Sequence, residues 1–254
     1  MSVPEFSLLG KTAIVTGAGK GIGRSIALTM ARAGVDLFLT SRTEKDLIEV
    51  ANQVEQLGRK IHYHVSDIRR VSEIQEMVRK ARATFSRMDI LVNNAGVSFP
   101  KPAEEVTETE WDITLETNLK GLFFCAQAIG KWMIEQRGGK IVNIASQAGV
   151  VALPAHAAYC ASKGGVILLT KVLAVEWACY GINVNCVAPT VIRTPMTDLV
   201  FADPEVRKEI IKKIPLGRIG QPEDVSGAVI FLSSKASDFI TGETLLVDGG
   251  WAAQ

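Results

Sequence analysis

Two kinds of segment alternate along this chain, and the alternation limits its fold more than any other feature. Seven short runs rich in Val, Ile and Leu read as strands buried on both faces: Thr12–Thr16, Asp36–Thr40, Ile61–Val65, Ile90–Val92, Lys140–Ile144, Asn183–Val187 and Thr244–Val247. Longer segments with helical spacing lie between them: Ile22–Ala33, Glu44–Leu57, Val71–Phe85, Glu110–Gln136, Ala158–Tyr180 and Pro222–Ser233. A strand that follows a helix in this rhythm joins its predecessor by a crossover. The expectation is an α/β fold, a doubly wound parallel sheet of about seven strands with helices on both faces. The 254 residues contain no linker rich in Gly, Ser or Pro and no repeat, so residues 1–254 read as a single domain. The stretch 189–222 breaks the rhythm. It carries Pro195, Pro204 and Pro215 and one short helical pattern, Glu205–Ile214. It is read as a substrate lid, with a loosely packed excursion as the alternative.

Bulk properties narrow the partners. Net charge is +1 and charged residues are 22%, so nothing points to nucleic acid or an anionic membrane. Cys125, Cys160, Cys179 and Cys186 form no C-x-x-C pair and read as reduced, mostly buried thiols. His62, His64 and His156 lack ligand spacing, so no metal is expected. Met1–Lys11 does not read as a signal peptide, and no apolar run approaches the roughly 20 residues that span a bilayer. A cytoplasmic protein is expected.

The first strand runs into Thr16-Gly17-Ala18-Gly19-Lys20-Gly21-Ile22-Gly23, and a helix follows. Glycines suit a sharp turn, a close approach of backbone to pyrophosphate, and tight packing of helix on strand. The helix N-terminus offers free N–H groups to phosphate. A strand before and a helix after make this a dinucleotide cradle in a Rossmann-type fold rather than an ordinary tight turn. About 20 residues further on, an acidic residue would hold the ribose of NAD, whereas Arg accommodates the 2′-phosphate of NADP. This chain has Ser41 and Arg42 there, and Lys20 adds a second charge. NADP(H) is favoured; NAD(H), with Arg42 as a solvated surface residue, is the alternative.

Further motifs follow in order: Asn93-Asn94-Ala95-Gly96 after the fourth strand, Asn118-Leu119-Lys120-Gly121 in a long helix, Ser146 after the fifth strand, and Tyr159-Cys160-Ala161-Ser162-Lys163. With the glycine loop, this set resembles the short-chain dehydrogenase/reductase family from about Leu9 to Trp251. The resemblance implies hydride transfer between a nicotinamide dinucleotide and a carbonyl or secondary alcohol, with Asn118, Ser146, Tyr159 and Lys163 as the catalytic set. Residue chemistry supports the relay. Tyr159 and Lys163 are four apart and share a helix face. A tyrosine of pKa about 10 is a poor base at neutral pH, and a neighbouring ammonium would lower that value. Ser146 would hold the substrate oxygen. The resemblance further implies that Lys163 holds the nicotinamide ribose and that Asn118 supports a water in the relay.

Other positions carry over singly. Gly17, Lys20, Gly21, Ile22 and Gly23 would meet the phosphates. Asp67 and Ile68 match the adenine contact, with an ordinary helix N-cap as the other reading of Asp67. Asn94, Ala95 and Gly96 match the wall beside the adenosine ribose. Pro189, Ile192 and Thr194 match the nicotinamide segment. Thr190 stands where relatives commonly have Gly, a departure that puts substrate analogies in doubt. Gln147, His156 and Thr190 are the substrate candidates, with Ser98, Arg193 and Met196 as further wall residues. His156 points to the substrate or lies in an exposed loop.

The C-terminal stretch and Ile214-Pro215-Leu216-Gly217-Arg218 resemble the branch holding gluconate 5-dehydrogenases and 3-oxoacyl-carrier-protein reductases. A small polyol, sugar acid or related hydroxy compound is the expected substrate, and an acyl-chain ketoreductase is the alternative. A silent nicotinamide-binding sensor would be expected to lack a member of the catalytic set. The apolar content of Glu110–Gln136 and Ala158–Tyr180 exceeds what one core face needs, and the family uses these helices at interfaces. A homotetramer is expected, with a dimer, or simply two thick core helices, as alternatives.

Overall fold

A computed structural model describes residues 6–198 and 203–254. All seven expected strands form: β1 (Thr12–Thr16), β2 (Asp36–Ser41), β3 (Ile61–Val65), β4 (Ile90–Asn93), β5 (Gly139–Ile144), β6 (Ile182–Pro189) and β7 (Thr244–Val247). They make one sheet in the order β3-β2-β1-β4-β5-β6-β7, and every pairing is parallel. The chain belongs to the Rossmann-type doubly wound class. Among the described residues there are eight α-helices: α1 (Gly21–Arg32), α2 (Glu44–Gln56), α3 (Val71–Thr84), α4 (Glu108–Leu115), α5 (Leu122–Glu135), α6 (Ala157–Trp177), α7 (Pro204–Lys212) and α8 (Pro222–Ser233).

Successive strand residues face opposite sides of the sheet, and the core divides accordingly. Ala13, Val15, Leu37, Leu39 and Val92 pack with apolar residues of α1, α2 and α8. Ile14, Phe38, Leu91 and Ile141 pack on the other face with residues of α3, α5 and α6. Both layers are dry, which explains why the central strands read as near-continuous apolar runs. The edge strand β3 is half-exposed instead, with His62, Tyr63 and His64 among its residues.

Two differences from the expected elements stand out. The segment read as one helix over Glu110–Gln136 is α4 and α5 joined by a π-helical turn, Glu116–Gly121. Its start is set at Thr107, whose hydroxyl accepts the Glu110 N–H while the Glu110 carboxylate accepts the Thr107 N–H. Helix α6, extended by a 3-10 turn to Tyr180, is long and apolar enough to cross a membrane by length and composition alone. Here it packs on β6, α4 and the π turn as a core helix of the sheet. The four cysteines are unpaired; Cys125 and Cys186 are buried, Cys160 is half-buried and Cys179 is exposed.

A buried polar chain ties the strands to α6. Asn93 Nδ2 donates to Asn143 Oδ1 at 3.0 Å, Asn143 Nδ2 donates to Thr170 Oγ1 at 2.9 Å, and Thr170 donates to Val166 O at 2.8 Å. Such a network is costly to leave half-made, so it fixes the helix that carries Tyr159 and Lys163.

Candidate active site

The carboxyl ends of the strands open onto a cleft of about 380 Å³. It lies where the strand order reverses between β1 and β4, the usual place for a ligand in an open α/β sheet.

At one end the walls are largely backbone. Gly17 has φ +64°, a left-handed conformation that leads the chain out of β1. A Cβ on Gly23 would fall on Gly17 O and on the Asn94 side chain. Asn94 Nδ2 donates to Thr16 O at 3.0 Å and to Gly17 O at 3.1 Å, and Thr16 Oγ1 accepts the N–H groups of Asn94 and Ala95. Asn94 therefore clamps the loop with its amide nitrogen while lining the cleft. Helix α1 begins at Gly21 with no side-chain cap and no acid in its first turn, which leaves its N-terminal amides for an anion. Lys20, Gly21, Ile22, Ser41, Arg42, Asp67, Ile68, Ala95 and Gly96 all line this end.

The charged residues there differ in their commitments. Lys20 Nζ lies 3.1 Å from Asp46 Oδ2. Arg42 is exposed and has no ion pair or hydrogen bond among the described residues. The Asp67 carboxylate accepts from Arg69 Nε at 2.9 and 3.1 Å and from the Arg69 N–H at 3.1 Å. Arg69 holds that carboxyl below its ordinary range, against the opposing effect of burial. Helix α3 is flanked by Arg70, so the helix-cap reading of Asp67 does not hold.

Does a dinucleotide fit? The hydroxyl oxygens of Thr40, Ser66, Thr117 and Thr190 are buried without a protein partner, and all four residues line the cleft. Buried polar atoms without partners are uncommon in proteins, and four along one cleft mark a place built for a polar ligand. With the glycine approach and the free helix amides, the fit is good. A bound nicotinamide dinucleotide would supply or take up a hydride there.

The other end is built from side chains. Ser146 follows β5 and opens a 3-10 turn, its Oγ accepting the Ala148 N–H at 3.1 Å and donating to Pro189 O at 3.4 Å. Tyr159 and Lys163 project from the first turns of α6. Ser146, Tyr159 and Lys163 line the same end of the cleft, and the Lys163 amine lies 5.6 Å from the Tyr159 ring centre. Lys163 is only 3% exposed and donates to Ile144 O at 2.8 Å. Burial pulls its ammonium down to about 8. Burial pushes the Tyr159 hydroxyl up, and the Ser146 hydrogen bond opposes this. The sequence argument predicted a lowered value. The structure reverses the direction because the amine is turned to the end of β5 and both groups are desolvated.

Asn118 lies in the π turn and is fully buried. Its Oδ1 accepts the Val97 N–H at 2.8 Å, and its Nδ2 donates to Val97 O at 2.9 Å and Ser162 Oγ at 3.1 Å. Both amide hydrogens are used, so the side chain ties the segment after β4 to α6. Gly96 packs between it and Lys163. Pro189, Thr190, Thr194 and Met196 also line the cleft, whereas Ile192 is buried beneath it and pairs with Gly220. Gln147 is buried behind Ser146, with its Oε1 unpaired. His156 stands beside the lining, its ring edge-on to Tyr159 at 6.1 Å between centres and its Nδ1 2.8 Å from Pro154 O.

The sequence profile described as Enoyl-(Acyl carrier protein) reductase matches residues 17–252. An NAD-dependent glycerol dehydrogenase of Listeria innocua is 44% identical, over 97% of this chain and 96% of the relative. A 2-dehydro-3-deoxy-D-gluconate 5-dehydrogenase of Escherichia coli is 42% identical over the full length of both. The structure of a gluconate 5-dehydrogenase from Burkholderia cenocepacia, in complex with NADP and tartrate, superposes with a TM-score of 0.95 at 36% identity and covers 98% of each chain. This chain belongs to the short-chain dehydrogenase/reductase family. As a short-chain dehydrogenase/reductase it is an NAD(P)-dependent enzyme acting on CH–OH groups. Within this member of the family, sequence reasoning missed Asp46, Thr40, Ser66 and Thr117 as cleft residues. Thr40 lies near the end of β2, Ser66 follows β3 and Thr117 sits in the π turn, and only three-dimensional burial distinguishes them from ordinary polar residues.

Proposed function

We propose that this enzyme interconverts a secondary alcohol and a ketone on a small polyol, sugar acid or related hydroxy compound, with NADP(H) favoured and NAD(H) as the alternative. One observation carries the reading: Ser146, Tyr159 and Lys163 converge at one end of a cleft whose other end is a glycine-lined phosphate cradle. Ser146 Oγ holds the substrate oxygen. Tyr159 gives that oxygen a proton in reduction and takes it in oxidation. Lys163 fixes the nicotinamide ribose and adds positive charge behind the tyrosine. A raised tyrosine value keeps the phenol protonated at neutral pH, which suits reduction; oxidation gains as pH rises.

The substrate class is supported from two sides. Thr190 lines the cleft with a buried hydroxyl that has no protein partner, which suits a hydroxylated ligand more than an acyl chain. The two curated relatives act, by name, on a polyol and a sugar acid. A panel of polyols, sugar acids and 3-oxoacyl thioesters with both cofactors, read by nicotinamide absorbance, tests this. Turnover of the thioesters alone would overturn the substrate reading, and unchanged turnover in Tyr159→Phe would overturn the relay.

Two structural expectations belong to the same proposal. Segment 189–222 acts as the substrate lid: Ile192 and Gly220 pair near its two ends, and α7 lies between. Residues 199–202 of it lie outside the described residues. The enzyme assembles as a homotetramer, or a dimer, through α6, where Leu168 and Val175 are 65% and 81% exposed on one face with Val172. A monomeric mass by light scattering at micromolar concentration would remove the assembly.

A further inference from the structure

The cradle contains a negative charge that its phosphate-binding role does not require. Asp46, in the first turn of α2, lines the cleft with Lys20, Ser41 and Arg42. Its carboxylate sits 3.1 Å from Lys20 Nζ, with the Asp46 side chain 18% exposed and Lys20 62%. The approach depends on Gly19. A Cβ there would come within 2.8 Å of Asp46 Cβ and 3.3 Å of Ser41 Oγ. The loop, the end of β2 and the start of α2 are therefore pressed together around this carboxylate. We infer that Asp46 sets the cofactor preference of the enzyme by holding Lys20 as a resident counter-ion at the position reserved for the 2′ substituent of the adenosine ribose. The inference rests on the proposed dinucleotide reading of the cleft.

The chemistry follows from charge. A ribose with a free 2′-hydroxyl leaves the Lys20–Asp46 pair intact and can donate to the carboxylate. A 2′-phosphate brings about two negative charges to the same place. It must take Lys20 from Asp46 and then lie beside the carboxylate it displaced. Arg42, which has no ion pair or hydrogen bond among the described residues, pulls the other way and favours the phosphate. Lys20 and Arg42 alone would give a strong preference for NADP; Asp46 compresses it. The group is on the cleft rim, so the effect is partly screened and falls as salt is added.

The test is calorimetric titration of the purified full-length enzyme with NADP⁺ and with NAD⁺ at low ionic strength. In Asp46→Asn the ratio of NADP⁺ to NAD⁺ affinity rises about tenfold, or about 1.4 kcal/mol. Asp46→Glu, which keeps the charge, holds the wild-type ratio within about twofold. Lys20→Met lowers the ratio and removes most of the gain when combined with Asp46→Asn, since the two residues act as a pair. An unchanged ratio in Asp46→Asn, with both dinucleotides still binding, overturns the role of Asp46 and leaves the cleft reading intact. Failure of both dinucleotides to bind the wild-type enzyme overturns the cleft reading itself. Thermal melting checks that each variant folds, and Asp46→Ser replaces Asp46→Asn if that variant does not.

Discussion

The dinucleotide end of the cleft takes its shape from backbone, with Gly17 and Gly23 folded against carbonyls that Asn94 clamps. The reaction end takes its shape from side chains, with Lys163 and Asn118 buried at 3% and 0% exposure and Tyr159 packed beside them. Apart from the exposed Arg42, the first end leaves uncharged groups unpaired, the α1 amides and the hydroxyls of Thr40 and Ser66. The second holds an amine where its charged form is disfavoured, which is how functional sites commonly come to be less stable than the scaffold around them. A cradle of backbone should therefore fail when atoms are added, and a relay of side chains should fail when they are removed.

Lys163→Met is the strongest way to break this contrast. Activity should fall by about a thousandfold, within the range for loss of a proton-relay group. Stability should move the other way. The folded-state value of about 8 is depressed below the ordinary 10.5. Between those values the unfolded chain binds more protons, so native stability rises as pH climbs from about 8 towards 10.5. Below about 8 the buried ammonium costs about 3 kcal/mol. Methionine removes that cost but strands Ile144 O, a loss of about 1 kcal/mol or more. Calorimetry at pH 7 should show Tm rising by a few degrees, with the gain shrinking towards pH 10. A lower Tm at pH 7 would mean that the amine supports the fold.

Gly23→Ala attacks the other end. Its Cβ meets backbone that cannot yield without moving the loop off Asn94. Dinucleotide affinity should drop about a hundredfold by titration, with a lower Tm as well. If affinity were retained, the cradle would be looser than its contacts indicate. The smallest effect is expected at Thr190, whose unpaired hydroxyl lines the cleft. Thr190→Val should raise KM for a hydroxylated substrate by about threefold to tenfold, with kcat nearly unchanged, if that hydroxyl meets a substrate group. An equal change in cofactor KM would assign the hydroxyl to the nicotinamide side instead.

The same contrast explains what could be read in advance. Strands such as Thr12–Thr16 and Ile90–Asn93 are buried on both faces, so composition alone reveals them. The glycine loop is legible because Gly17 and Gly23 answer local demands of turn and contact. Tyr159 and Lys163 are legible because helical spacing places them together. The partnership of Lys20 with Asp46 is not, since it joins a loop to a different helix and leaves no periodic trace. The direction of the Tyr159 shift is not legible, because spacing gives proximity but neither the turn of the amine towards Ile144 nor the burial of the pair. The pairing of Ile192 with Gly220, made by the Val191 carbonyl and the Arg193 N–H, is a contact within segment 189–222 that motif matching does not see.

The π turn over Glu116–Gly121 has a consequence for how this enzyme tolerates changes in length. A widened turn holds one more residue than the α-helix on either side requires. Removing a single amino acid there would let α4 run unbroken into α5, and an ordinary helical ladder would be a comfortable local outcome. Because the wide turn absorbs the extra residue, its loss would leave Leu122, Cys125 and Ile129 facing their present neighbours. What would go is the local bulge that presents Asn118 to Val97 and Ser162. Such a deletion would spare the scaffold and strike the reaction end of the cleft.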